Sequence, residues 1–330
     1  MHLIQKVKKN IQNNHCFGRN DTILAGVSGG PDSIALTYVL HSLQYELGFH
    51  MHIAHYNHNL HRKANADQKF VEQLAEQLNI PCSTDLWHNS KTRGKGSLEE
   101  AARQQRFKFF SKIAKKINAK AVVLAHTEDD LAETVLMRIL RGTGLQGLRG
   151  ILPEREIQGI HYVRPLLNIK KKDILLFLKK KNIPFRIDPT NNQLNIFRNR
   201  IRLELLPLLA KHYNQNTKEL LANLAEHAST DYSYLESQSQ RLFGKLIQYS
   251  ARSQSVRIDL KSLAKQHTAV QRMLIRQGIS ELKGDTRRLT LAHFREIEDL
   301  LQNRPNHAIV HLPRNISARK DSRYLTLAHQ

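Results

Sequence analysis

Apolar and polar positions in the first half of the chain follow two periods in turn. Short apolar runs such as Ile23–Val27 and Ala121–Ala125 are typical of buried parallel strands. Longer stretches such as Ala64–Leu78 repeat apolar residues at helical spacing. Strands that alternate with helices predict an α/β fold, in which helices cover both faces of a doubly wound parallel sheet. We therefore expect ligands to bind outside the carboxyl ends of the strands.

The same periods predict several further elements. They are a basic helix over residues 2–14 and strands at Phe49–His55 and Cys82–Trp87. Three further helices are predicted: one that begins with a capping box at Ser97–Glu100, one over Asp129–Leu140 and one around Ile174–Leu178. After about Asn216 the composition shifts, and apolar positions predict more helices, one of them at Phe294–Leu301. We therefore expect a catalytic domain over residues 1–215 and a smaller, mainly α-helical domain over residues 216–330.

A glycine-rich stretch joins the strand at Ile23–Val27 to the helix that follows it. Gly29 and Gly30 permit a backbone whose N–H groups surround an anion at a helix N-terminus. The Asp32 carboxylate would repel phosphate unless it held a metal ion or a ribose hydroxyl. No Gly-Lys pair is followed by Ser or Thr, so the stretch is not a Walker A loop. The candidate nucleotide-binding residues are Ser28, Gly29, Gly30, Pro31, Asp32 and Ser33.

A second polar group follows the strand at Ala121–Ala125. His126 lies at the predicted carboxyl end of that strand, and Asp130 and Glu133 share a face of the next helix. Acids in a first helical turn often only complement the helix dipole. That explanation suits Glu128 and Asp129 but explains Glu133 poorly, because Glu133 lies one turn further along, next to an apolar face. The two carboxylates could hold Mg²⁺ or receive an ammonium group.

Five histidines lie in or after the second predicted strand. They are His50, His52, His55, His58 and His61. They could bind zinc or belong to a substrate loop, and no acidic residue or cysteine that would support zinc lies beside them. Three arginines repeat at intervals of two, and they suit either phosphate or plain solvation: Arg198, Arg200 and Arg202. Lys170–Lys172 and Lys179–Lys181 form a basic face with the same two interpretations.

The charge of the chain is strongly positive. Lys and Arg number 51 against 29 acids, a net charge of +22, which favours a nucleic-acid partner over a merely well-solvated surface. Residues 216–330 hold 18 basic and 11 acidic residues, so both predicted domains are basic and RNA would lie across both. Cys16 and Cys82 form no C-x-x-C motif, which argues against a zinc knuckle or a disulfide framework. With neither a membrane-length apolar run nor a signal-peptide pattern, we expect a cytoplasmic protein without a membrane partner.

The Ser28–Ser33 stretch resembles the S-G-G-x-D-S loop of the ATP pyrophosphatases, which split ATP between its α- and β-phosphates. That loop alone is shared by GMP synthetases, asparagine synthetases and tRNA thiolases. Three further motifs occur in order, namely Ser97–Arg106, the His-x-x-Asp-Asp-x-x-Glu-Thr run at His126–Thr134, and Arg-Asn-Arg-Ile-Arg at Arg198–Arg202. Together, over about two thirds of the chain, they resemble the tRNA(Ile)-lysidine synthetase family.

The resemblance implies an N-type ATP pyrophosphatase fold, similar to the adenine nucleotide alpha hydrolases, and a ligase activity. In that family ATP activates the C2 carbonyl of the wobble cytidine, position 34, of tRNA(Ile) with anticodon CAU. L-lysine attacks through its ε-amine to give lysidine and AMP, and the tRNA changes identity from methionine to isoleucine. The implied ligands are ATP, Mg²⁺, L-lysine and this tRNA.

Residue by residue, the resemblance implies that the Ser28–Ser33 loop holds ATP. The metal ligand is left open, with Asp32 and Asp130 as the candidates for Mg²⁺. The implied catalytic residues are Asp130, Glu133 and His126 at the reaction centre, with Arg106 and Arg198 on lysine or the transferring phosphate. The family's His-rich run departs here, because His61 intervenes before Arg62. A tRNA thiolase and a non-catalytic RNA-binding protein remain as rivals. Oligomeric state is left open, a homodimer being one option, and so is a further carboxy-terminal domain.

Overall fold

The computed structural model describes residues 3–59, 64–87, 98–250, 254–284, 286 and 288–329. The chain forms two compact units, the first comprising Met1–Thr143 and Gly147–Ala225, the second Gly144–Gln146 and Glu226–Gln330. The main division falls after Ala225, inside a helix. It lies beyond the predicted boundary at residue 215, because residues after the composition shift still pack with the first unit.

The first unit contains a six-stranded sheet in the order β3-β2-β1-β4-β6-β5. Its strands are β1 (Thr22–Gly26), β2 (His50–Asn57), β3 (Cys82–Leu86), β4 (Ala121–Val123), β5 (Glu154–Ile157) and β6 (Ile160–Val163). All neighbouring pairs are parallel except β5 with β6. The predicted parallel sheet is confirmed. The β5–β6 hairpin was not predicted, since four-residue strands give too few positions for a period to be recognised.

Helices cover both faces of this sheet, as predicted. Those of the first unit include α1 (Leu3–Asn13), α2 (Pro31–Leu47), α3 (Ala64–Gln77), α4 (Leu98–Lys116), α5 (Glu128–Leu140), α6 (Leu145–Leu148, at the division between the units), α7 (Lys171–Lys180), α8 (Phe197–Arg200) and α9 (Leu206–His212). Ile23 packs in the core beneath α2, whereas Leu24 packs on the opposite face with Phe110 of α4. This is the period of two expected of a strand buried on both faces. The capping box predicted for α4 begins at Ser97, which lies outside the described residues.

The strand order positions the functional site. From β1 the chain proceeds to β2 and β3 on one side, and β4 and β6 lie on the other side. The order therefore reverses between β1 and β4, which is the position where ligands bind in open sheets of this kind, beyond the carboxyl ends of the strands. Those segments are the glycine-rich loop after Gly26 and the polar run after Val123.

The second unit combines helices with an antiparallel sheet. Its strands are β7 (Ile247–Ser250), β8 (Ser255–Asp259), β9 (Ile309–Leu312), β10 (Ile316–Lys320) and β11 (Tyr324–His329), in the order β7-β8-β11-β10-β9. Its helices are the end of α10 (Thr217–Leu246), α11 (Leu260–Ala264), α12 (Thr268–Lys283) and α13 (Leu291–Gln302). Leu274, Ile297 and Leu327 share one core. The sequence predicted the helices and missed the sheet, because each strand is short and only half buried.

No described helix is both long and apolar enough to cross a bilayer.

Candidate active site

The glycine-rich loop is folded around the first turn of α2. Ser33 Oγ donates to the Gly30 carbonyl at 2.9 Å and accepts from the Ser28 N–H at 3.2 Å. Gly29 has a φ of +87°, a left-handed conformation that favours glycine, and its carbonyl accepts from the Arg186 N–H at 2.9 Å. Pro31 begins α2, where its missing N–H costs nothing. The loop is thus ordered around a helix N-terminus, which suits an anion.

Asp32 occupies the first turn of α2 with only one oxygen engaged. Its Oδ2 accepts from Lys171 Nζ at 2.5 Å, whereas its Oδ1 is buried without a hydrogen-bond partner among the described residues. Burial raises the pKa of Asp32, and the Lys171 ammonium opposes that rise. A carboxylate oxygen left over beside a phosphate loop is the kind of ligand that Mg²⁺ takes, so the loop fits the expected metal. The sequence analysis had placed Lys171 only on a basic face.

Asp130 takes part in the cap at the N-terminus of α5. It forms a capping box with Thr127, whose N–H and Oγ1–H donate to Asp130 Oδ2 at 2.9 and 3.0 Å. Its Oδ1 accepts from Arg198 Nη2 at 3.0 Å. Burial opposes the charge, but the Arg198 guanidinium and the hydrogen bond from the Thr127 N–H hold the pKa of Asp130 below its ordinary value. Asp130 is therefore an ionised carboxylate at neutral pH.

Glu133 is buried between two arginines. Its carboxylate accepts from Arg198 Nε at 2.8 Å, from Arg202 Nε at 2.6 Å and from Arg202 Nη2 at 2.9 Å. The structure thus brings Asp130, Glu133 and Arg198 together. It adds Arg202, which the sequence analysis did not assign to the site. The four-residue spacing of Arg198 and Arg202, one helical turn, was the signal available for finding it.

His126 and Arg106 lie among several cations. Burial, with Arg164, Arg106 and Arg198 nearby, lowers the pKa of His126 to about 3 although Asp130 opposes the shift, and His126 Nδ1 has no partner among the described residues. Burial and the neighbouring arginines likewise lower the pKa of Arg106 to about 10. At neutral pH the imidazole is therefore neutral and the guanidinium remains charged. Cations with few facing carboxylates favour an anionic ligand.

Arg164 is a buried member of this group that the sequence analysis missed. It follows directly after β6, and its Nη1 donates to the Leu152 carbonyl at 2.9 Å. Burial lowers its pKa to about 10. The signal for it was an arginine at the end of an apolar run, but that run was not assigned as a strand.

The histidines of β2 divide between structural and site positions. His55 Nδ1 donates to the Val27 carbonyl at 2.8 Å, which ties β2 to the start of the loop. Burial first, then Arg106, lowers the pKa of His58 to about 4. His52 bonds with Ser83, and His61 lies outside the described residues. No three potential ligands form a metal-binding group within the described part of the chain, so nothing there supports zinc.

Neither cysteine lies at this edge of the sheet. Cys82 is the first residue of β3, at the opposite end of the strands, and Cys16 follows α1. Burial raises the pKa of each thiol to about 11. Neither thiol is therefore placed or ionised to carry sulfur, which weighs against the thiolase alternative.

A PP-loop domain family matches residues 1–209. The solved structure of the U34-tRNA thiolase NcsA from Methanococcus maripaludis aligns with a TM-score of 0.57 over 68% of this chain and 76% of that chain, at 16% identity, and so shows a shared fold alone. The chain belongs to the PP-loop domain family.

Curated relatives narrow this further. The tRNA(Ile)-lysidine synthase of Caldanaerobacter subterraneus is 33% identical over 322 residues, which are 96% of this chain and 67% of that protein. The corresponding enzyme of Clostridioides difficile is 33% identical over 330 residues, 98% of this chain and 70% of that protein. Within the PP-loop proteins, the chain belongs to the tRNA(Ile)-lysidine synthase family. It spans about two thirds of the length of these relatives.

Proposed function

We propose that the chain is a C–N ligase that joins the ε-amine of L-lysine to C2 of the wobble cytidine of CAU-anticodon tRNA(Ile). ATP first adenylates the cytidine carbonyl with release of pyrophosphate, and lysine then displaces AMP. The observation that carries this proposal is the meeting, at one sheet edge, of a phosphate loop with an arginine-bound carboxylate pair, Asp130 and Glu133. A non-catalytic RNA-binding protein would need neither.

The loop supplies the nucleotide site. The N–H groups around Gly29 and Gly30 and the hydroxyls of Ser28 and Ser33 suit the phosphates of ATP. Mg²⁺, held by Asp32 through its unpaired Oδ1, would neutralise phosphate charge when bound. Asp32 therefore suits the metal better than Asp130, both of whose oxygens already accept hydrogen bonds.

The cationic group suits the adenylation step. Arg106 and Arg198 would bind the α-phosphate that passes to the cytidine, because guanidiniums suit phosphate and the imidazole beside them is neutral. His126 would donate or accept a hydrogen bond there without carrying charge. The incoming ammonium is attracted to a carboxylate more than to a neutral imidazole, so we assign proton removal to a carboxylate.

The carboxylate pair suits the second step. Lysine has an ordinary side-chain pKa of about 10.4, so it arrives as an ammonium and must lose a proton before it attacks. Asp130 and Glu133 would bind that ammonium, and one of them would accept the proton. In the structure Arg198 and Arg202 pair with these carboxylates. Lysine would replace part of these contacts and leave a guanidinium available for phosphate.

The tRNA would contact both parts of the chain. A net charge of +22 far exceeds what solubility needs, and residues 216–330 are basic as well as residues 1–215. We propose that residues 216–330 act as a tRNA-binding domain and residues 1–215 as the catalytic domain. Since its substrates are ATP, lysine and tRNA, the enzyme would work in the cytoplasm.

A single incubation tests the function. The full chain is mixed with ATP, Mg²⁺, labelled lysine and a CAU-anticodon tRNA(Ile) transcript, and label in the tRNA, AMP and pyrophosphate are measured. We expect label in tRNA in equal amount with AMP, and none with a tRNA(Met) transcript that has the same anticodon. Pyrophosphate release without lysine incorporation would contradict the assignment, and sulfur incorporation from a sulfide donor would support the thiolase alternative.

A further inference from the structure

The phosphate loop of this chain contains an acid where other phosphate loops contain a lysine. In Walker A loops a lysine within the loop reaches the β- and γ-phosphates. Here no lysine lies between Ser28 and Ser33, and Asp32 adds negative charge instead. The β- and γ-phosphates of ATP carry most of its charge, so a cation from elsewhere in the chain is needed.

Lys171 brings that cation from 139 residues further along the chain. Its Nζ donates to Asp32 Oδ2 at 2.5 Å, at the first turn of α2. An ammonium has three N–H donors, and one of them is used here. The Lys171 side chain is still 32% exposed, so the remaining donors can reach a ligand that arrives from solvent.

The position of Lys171 is determined by packing on two sides. It is the first residue of α7, whose Ile174, Phe177 and Leu178 are buried in the core shared with α2. Its backbone N–H donates to Asp129 Oδ2 at 2.9 Å. A helix packed against α2 and fastened to the start of α5 therefore holds the lysine at the phosphate loop.

A purely structural ion pair explains this arrangement less well. Such a pair would use both oxygens of a partly buried carboxylate, yet Asp32 Oδ1 has no partner among the described residues. One oxygen is left for a metal ion, and two ammonium donors are left for an anion.

We propose that Lys171 is a nucleotide-binding residue that contacts the β- and γ-phosphates of ATP. In the structure it pairs with Asp32. With ATP and its metal ion bound, Asp32 would hold the metal, and Lys171 would turn to the phosphates and stabilise the pyrophosphate that departs. The choice of ATP as the nucleotide rests on the proposed function, but the contact itself does not involve lysine or tRNA.

The test measures nucleotide affinity without turnover. Equilibrium binding of ATP and of AMP, each with Mg²⁺, is measured by calorimetry on the full chain in the absence of lysine and tRNA. Replacing Lys171→Met removes a charged hydrogen bond to the β- and γ-phosphates, so the Kd of ATP should rise about 10- to 100-fold. The Kd of AMP should change less than about twofold, because AMP lacks those phosphates.

Three further variants make the result specific. Lys171→Gln can still donate to Asp32 and so preserves the loop, and it should show the same selective loss of ATP affinity. Lys171→Arg keeps the charge and should retain most of it. Lys172→Met removes an exposed lysine next in the chain and should leave ATP affinity unchanged.

Two results would overturn the proposal. If Lys171→Met and Lys171→Gln weaken ATP and AMP equally, Lys171 acts only through the shape of the loop. If ATP affinity is unchanged, there is no contact with phosphate. Failure of the proposed function is distinguishable, because it would appear as absent lysine incorporation by the unmodified chain whatever the ATP measurement gives.

Discussion

The arginine-bound glutamate offers the sharpest test of the site. Glu133 is only 2% exposed and accepts three hydrogen bonds from Arg198 and Arg202, at 2.6 to 2.9 Å. The change Glu133→Gln preserves shape and volume. It removes the negative charge and replaces one acceptor oxygen by an NH₂ group, which then faces a guanidinium donor. Two cations are left beside a neutral amide.

The magnitude follows from these contacts. Breaking a buried ion pair on one side typically costs about 3–5 kcal/mol. The cost is reduced here because Arg198 and Arg202 keep contacts to Asp130 Oδ1 at 3.0 and 3.5 Å. Their side chains are also 26% and 36% exposed, so water replaces part of what is lost. We expect the free energy of unfolding of the first unit to fall by about 2–3 kcal/mol.

The assay is urea unfolding followed by tryptophan fluorescence. The chain has one tryptophan, Trp87, which is buried in the first unit and therefore reports on that unit. With a urea m-value of about 2–3 kcal/mol/M, the midpoint of Glu133→Gln should fall by about 1 M. Glu128→Gln is the matched control, because it makes the same chemical change in the first turn of α5, where the side chain is partly exposed. It should lower the free energy of unfolding by less than about 0.5 kcal/mol.

Equal urea midpoints and equal m-values for the two variants would contradict a stabilising ion pair at Glu133. The carboxylate of Glu133 would then not be holding Arg198 and Arg202 in solution. The proposed ammonium site would lose its structural basis with it, since the same carboxylate would no longer be ordered. If the midpoint shifts but lysine transfer is unchanged, the ion pair stabilises the fold and Glu133 takes no part in the reaction.

Further predictions concern the loop, the second acid, a histidine and the salt dependence. Asp32→Ala and Ser33→Ala should abolish pyrophosphate release yet change tRNA affinity less than tenfold; a larger loss of tRNA binding would mean that the loop is more than a phosphate site. Asp130→Asn should still form adenylated tRNA but pass it slowly to lysine in single-turnover assays, and transfer at the unmodified rate would exclude Asp130 as the base. The folded-state pKa of His58 is about 4, below the usual value of about 6.5, so the unfolded chain binds more protons between these values. The contribution of the neutral His58 to the free energy of unfolding is therefore complete above pH 6.5 and is lost as the pH drops towards 4. His58→Asn should reduce that fall by about 2–3 kcal/mol in urea unfolding, whereas the exposed His50→Asn should leave it intact, and equal pH profiles for the two would contradict the burial of His58. Binding of tRNA should weaken steeply with salt, each phosphate contact adding a slope of about −0.7 to −0.9 to log K against log salt, and a flat response would separate the basic charge from RNA.

Local patterns were sufficient wherever neighbours in the chain also interact in the fold. The loop at Ser28–Ser33 could be predicted because strand, glycine-rich turn and helix N-terminus are consecutive. The shared face of Asp130 and Glu133 follows from helical geometry alone. The parallel sheet follows from alternating elements. Short strands gave too few positions for a period, so β5, β6 and the sheet of the second unit were missed.

The motifs predict the kind of chemistry without a fold, because each is contiguous and its residue types indicate the ligands that it suits. The distant groups that complete the site could be identified only in the folded chain. Lys171 meets Asp32, and Arg202 meets Glu133, through the packing of α7 on α2 and through the turn that follows α8. Such pairs lie 139 and 69 residues apart, and no local period records them. They depend on how buried faces fit together, which is a property of the folded core as a whole.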